Sequence, residues 1–184
     1  MEFVNREVVA RSVSSIQPEF LIALLLFIVW IGSGFSNVST FILCLILLSI
    51  SQYVSKSNLI LKGKDRKSRY IPYIVTSVSY ALCTIVLLFL EPHSVYFQIS
   101  ASLTACAISL AISNLFIKVS VHCGGISAFS AICSYLFYPV GVISVTLVPL
   151  IVWSRLYLGK HTKREACIGV ILGVLSSGLS MVVL

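Results

Sequence analysis

His161 and Glu165 stand four residues apart in the stretch Ser154-Arg155-Leu156-Tyr157-Leu158-Gly159-Lys160-His161-Thr162-Lys163-Arg164-Glu165. If a helix begins near Thr162, that spacing puts imidazole and carboxylate on adjacent turns of one face. The carboxylate can then accept a hydrogen bond from one ring nitrogen, fix the tautomer and leave the other nitrogen for nucleophilic attack. Arg155 adds a planar fork of donors that fits phosphate oxygens. The bland alternative is a basic loop beside a membrane that meets lipid headgroups.

Two more polar segments carry related chemistry. In Lys118-Val119-Ser120-Val121-His122-Cys123-Gly124-Gly125 the polar residues alternate with valines. An extended stretch would point Lys118, Ser120 and His122 the same way. The glycine pair would allow a tight turn or close approach of backbone to a ligand. Snorkelling accounts for a lone lysine at a membrane end but poorly for a histidine, whose reach is short. The run Lys62-Gly63-Lys64-Asp65-Arg66-Lys67-Ser68-Arg69 is densely basic, and headgroup contact is its bland explanation. Two histidines, a carboxylate, a hydroxyl and several cations form a kit for phosphoryl transfer through a phosphohistidine. Cations neutralise the phosphate and its transition state, one imidazole attacks, and the other protonates the leaving oxygen.

The elements that must position these groups are apolar. Of the 184 residues, 58% are hydrophobic and 10% charged, against about 25% charged in soluble domains. Such a chain needs the bilayer as part of its solvent. Seven apolar stretches run roughly over 18–35, 38–55, 70–90, 95–117, 124–138, 140–157 and 166–184. They predict an all-α, polytopic transmembrane helix bundle of about six to seven spans. Residues 1–17 read as a polar segment without the apolar core of a secretory leader, and residues 18–184 as one membrane-embedded domain. The formal net charge of +7 sits at the ends of apolar runs, which suits headgroups or a phosphate ligand and excludes a nucleic-acid face. The six cysteines lie mostly inside apolar runs with no CxxC pair, so they read as small buried hydrophobes. With seven alternating crossings, the three polar segments and the N-terminus share one membrane face, and the C-terminus lies opposite.

In their order and spacing these residues resemble the type 2 phosphatidic acid phosphatases, a superfamily shared with the vanadium haloperoxidases. That pattern is K-x6-R-P, then P-S-G-H, then S-R-x5-H-x3-D. Lys62-x6-Arg69 matches the first element, with the proline displaced to Pro72. Ser120-x-His122 matches part of the second. Ser154-Arg155-x5-His161-x3-Glu165 matches the third except at its last residue. Glu165 stands where the family has aspartate, and Val119 and Val121 replace the proline and glycine around Ser120. Two spans between the first and second elements, together with the K-x-S-x-H run, are similar to a compact prokaryotic branch. The resemblance implies that His161 is the nucleophile, His122 the general acid and Glu165 the residue that orients His161. It implies phosphate binding by Lys62, Arg69, Ser120 and Arg155, with no cofactor and no metal. Lys118 and Arg66 join the phosphate ligands by position alone.

The expectation is a metal-independent phosphatase of lipid phosphates. A polyprenyl diphosphate is the first candidate substrate, and phosphatidic acid or phosphatidylglycerophosphate the second. Its partners would be that substrate and membrane lipids. The sequence leaves the oligomeric state open. A phosphotransferase with an alcohol acceptor is the alternative enzyme, and a transporter or lipid-binding protein the alternative without catalysis. Transporters usually place polar residues near the middle of the membrane, whereas here they gather at one face. All thirteen Lys and Arg lie on that face. The positive-inside rule would make it cytoplasmic, although relatives that recycle lipid carriers work on the outer side.

Overall fold

The computed structural model describes residues 2–34, 38–56 and 70–184. Nine helices appear among them: α1 (Glu2–Ser14), α2 (Pro18–Gly32), α3 (Val38–Lys56), α4 (Tyr70–Leu90), α5 (Val95–Phe116), α6 (Val121–Leu136), α7 (Tyr138–Val145), α8 (Leu147–Tyr157) and α9 (Lys163–Val183). No strand occurs among the described residues. The all-α bundle expected from the apolar runs is therefore what the chain forms. The phosphate-ligand candidates Lys62 and Arg69, with Arg66, lie outside the described residues.

The span count is lower than expected. Among the described residues, four helical units are long and apolar enough to cross a membrane: Tyr70–Leu90, Val95–Phe116, Tyr138–Tyr157 and Lys163–Val183. A fifth arises if the pair Arg6–Ser14 and Pro18–Gly32, bent by 57°, is counted as one. These helices fit a membrane protein. The fifth predicted span fails for a physical reason. α6 has 16 residues, about 24 Å of helix, against a hydrocarbon layer of about 30 Å. It is instead enclosed by protein, with nine of its residues from Cys123 to Cys133 buried.

Local chemistry sets the boundaries. Ser94 caps α5 by accepting from the Phe97 amide, and Ser120 caps α6 by accepting from the Cys123 amide. Pro18 opens α2 at a first-turn position that has no need of an amide proton. α8 ends in a Schellman turn: the Gly159 amide donates to Leu156 O and the Lys160 amide to Arg155 O, both at 3.0 Å. Gly159 takes a φ of +62° there, which a side chain would disfavour. Three residues on, Thr162 and Glu165 form a capping box that starts α9.

Helix order brings the polar segments to one end. α4 and α5 form a hairpin through the 91–94 turn. α6 leaves the site end, and α7 with α8 returns to it. Tyr73, in the first turns of α4, donates to Val119 O at 3.3 Å, so α4 begins at the same end. At the far end of α9, Met181 packs in the core with Leu87, Tyr96 and Phe97. The site end and the chain's C-terminus are thus on opposite sides of the bundle.

Candidate active site

Between the Schellman turn and the capping box only His161 has no cap of its own to satisfy. It is buried, and its Nδ1 lies 2.8 Å from Glu165 Oε2. A carboxylate accepts, so Nδ1 carries the proton and Nε2 the lone pair. Glu165 Oε2 also accepts from the Thr162 amide at 3.3 Å, so one oxygen serves both the helix start and the imidazole. Lys118 Nζ lies 3.7 Å from the same oxygen. The predicted pairing of His161 with Glu165 on adjacent turns is formed, although His161 itself precedes the helix.

His122 sits in the first turn of α6. The expectation of an extended stretch therefore holds only through Ser120, because Ser120 acts as a helix cap and α6 begins at Val121. Arg155 Nη2 lies 2.9 Å from His122 Nδ1. A guanidinium only donates, so Nδ1 must accept and the imidazole proton is on Nε2. Arg155, itself buried, also donates through Nη1 to Ser14 Oγ at 2.8 Å. Lys160 Nζ donates to the same Ser14 oxygen at 3.0 Å. Burial holds the Lys160 ammonium below the usual lysine range, and repulsion from Arg155 and Arg11 pushes it the same way.

These groups surround a cleft of about 920 Å³. Lys118, His122, Arg155, Lys160 and His161 line its mouth, while Ile22, Tyr80, Leu103, Ala107 and Ala128 line its depth. Tyr80 is ten residues into α4, about 15 Å below its start. A phosphate fills only a small part of such a space, so the apolar depth is open to a hydrocarbon tail.

Of the predicted site residues, the cleft gathers His161, His122, Arg155 and Lys118, with Glu165 behind His161. Ser120 is fully buried and caps α6, and it does not line the cleft. The glycine pair also acts differently from expectation, since it admits neighbouring helices. A Cβ on Gly125 would lie 2.7 Å from Pro18 Cβ, and one on Gly173 of α9 would collide with Gly124 O. A Cβ on Gly169 would lie 2.6 Å from Ser120 O. The Ser120 amide donates to Glu165 O at 3.2 Å, which ties the two histidine-bearing segments together through backbone.

Ser14 and Lys160 escaped the sequence reading of the site. The available signal was parity, which placed residues 1–17 on the polar face. No group of three or more His, Cys, Asp or Glu suited to a metal occurs among the described residues. In comparisons with known proteins, no family model matches the chain, no curated protein matches its sequence and no solved structure matches its fold.

Proposed function

We propose that the chain is a membrane-embedded phosphatase that hydrolyses a lipid phosphate through a phosphohistidine. The carrying observation is the juxtaposition of two differently tuned imidazoles at one cleft. His161 presents its lone pair at Nε2 because Glu165 holds Nδ1, and His122 carries its proton at Nε2 because Arg155 occupies Nδ1. The cationic mouth suits a phosphate, and the apolar depth suits its tail. The first candidate substrate is a polyprenyl diphosphate, and the second a phospholipid phosphomonoester.

In the first step His161 Nε2 attacks phosphorus, an N–P bond forms and the bond to the leaving oxygen breaks. The leaving oxygen takes a proton from His122. A neutral imidazole is a weak acid, so His122 must first gain a proton at Nδ1, taken from the monoprotonated phosphate of the entering substrate and returned to the product phosphate at the end of the cycle. Phosphate supplies the means by drawing the Arg155 guanidinium from His122 onto its own oxygens, a stronger charge-assisted contact. In the second step water attacks phosphorus, the N–P bond breaks and His122 accepts the water proton. Lys118, Arg155 and Lys160 offset the charge that develops on the phosphoryl oxygens.

The test is phosphate release from both lipid classes by purified protein in detergent. His161→Ala should abolish turnover, and His122→Ala should lower it by about 10²–10⁴-fold. Full activity in either variant removes this mechanism. The charge rule favours the cytoplasmic side for the site end, whereas relatives that recycle lipid carriers work on the outer side. Thiol labelling of Lys163→Cys in sealed vesicles, with exposed Cys167 replaced, reads that orientation, and labelling only from outside reverses it.

A further inference from the structure

The catalytic steps make no use of α1, yet α1 is built into the site. From Arg6 to Ser12 every residue of this helix but Ala10 is exposed, and Glu7 and Arg11 pair on its surface at 2.6 Å. Its last residue is different, because Ser14 is only 5% exposed. The preceding turn is pinned to α8, where buried Ser154 donates to Ala10 O at 2.9 Å. Past Ser14 the chain bends by 57° into α2, whose Pro18, Glu19 and Ile22 line the cleft.

The Ser14 hydroxyl accepts from Arg155 Nη1 at 2.8 Å and from Lys160 Nζ at 3.0 Å. A hydroxyl oxygen has two lone pairs, and two cations from opposite sides of one Schellman turn occupy both. A serine that merely anchored α1 would need one partner from α8, and Ser154 already makes that anchor through Ala10.

Resting on the phosphatase reading above, we propose that Ser14 is a positioning residue of the anion site. It holds the Arg155 guanidinium and the Lys160 ammonium side by side, so that an entering phosphate meets a preassembled pair of cations. The N-terminal helix therefore braces the cations of the site from behind and does more than tether the chain to the membrane. Binding is favoured because the two long side chains need less ordering when phosphate arrives.

Orthovanadate and inorganic phosphate binding to the full chain in detergent, measured by calorimetry beside lipid-phosphate hydrolysis, tests this with Ser14→Ala and Ser14→Thr. Ser14→Ala should weaken both anions about tenfold and raise KM more than it lowers kcat. It should also move the alkaline loss of binding to lower pH, because Lys160 loses an acceptor that favours its charged form. Ser14→Thr keeps the oxygen and should restore all three. Unchanged affinity and pH limb in Ser14→Ala, or equal damage in Ser14→Thr, overturns the proposal, as does a wild type that binds neither anion. A wild type that binds anions in this Ser14-dependent way but hydrolyses no lipid phosphate overturns the phosphatase reading and leaves the positioning role standing.

Discussion

Two helix pairs in this bundle are packed by opposite means. α6 and α9 meet backbone to backbone through Gly124, Gly169 and Gly173, with no room for a Cβ at the contact. α2 and α3 meet at the far end through rings: Trp30 and Phe41 stack with centroids 4.7 Å apart, and Phe27 leans on Trp30 at 6.0 Å. Small residues fix an interhelical distance tightly, because backbone atoms cannot rotate away as side chains can. Rings fill space and tolerate adjustment. The glycine-packed pair carries His122 at one N-terminus and Glu165 at the other, so the stiff contact lies where the proposed mechanism needs fixed imidazole positions. The adaptable contact lies where only apolar surface needs covering.

The largest effect should come from breaking the stiff pair. Gly173→Val places two methyl groups against Gly124 O and must push α6 from α9. A shift of about 1 Å at reacting groups costs on the order of 10²-fold in rate. Turnover of the variant should fall by about that factor while the protein still purifies as a helical monomer or oligomer like the wild type. Turnover within twofold of wild type would show that the glycine contact does not govern the site.

Much of this end was legible in the sequence. Gly159, Thr162 and Glu165 spell out a helix stop and a helix start, and the four-residue step from His161 to Glu165 follows from them. The choice of glutamate over aspartate also has a local reason, since the capping box needs a side chain long enough to reach back to the Thr162 amide. Other features depend on tertiary contacts that periodicity does not report. Gly124-Gly125 is equally compatible with a turn, a ligand approach or a helix contact, and only the facing glycines of α9 and Pro18 of α2 decide it. Ser120 has the residue type of a phosphate ligand and of a cap, and burial assigns it to the cap. Apolar run lengths overcount spans, because α6 is as apolar as a membrane helix but is enclosed by its neighbours. Ser14 had no local signature at all, since its partners are more than 140 positions away.

A smaller effect separates the two ends by charge. The site end has Lys160, held below its ordinary range by burial and by Arg155 and Arg11, whereas the 91–94 turn at the far end carries Glu91 and His93. A bound phosphate dianion favours the charged lysine, so its pKa rises on binding. Anion affinity is therefore highest below the ligand-free Lys160 pKa and falls by up to about tenfold per pH unit between the two values. Lys160→Gln should bind phosphate more weakly at neutral pH and lose this alkaline limb. His93→Gln should leave the limb in place. A limb that persists in Lys160→Gln would assign it to another group.

The smallest effect on catalysis should follow from damage to the ring-packed pair. Trp30→Ala removes a stacked partner of buried Phe41. Such aromatic contacts contribute about 0.5–1.5 kcal/mol beyond ordinary burial, so thermal unfolding in detergent should begin several degrees lower. The same change lies at the end of α2 away from Pro18 and Glu19, and no glycine contact depends on it. kcat and KM should therefore stay within about twofold of wild type at temperatures where both proteins are folded. If Trp30→Ala slowed turnover as much as Gly173→Val, the two regions would be one mechanical unit, and the site's geometry would depend on the whole bundle instead of the α6–α9 contact.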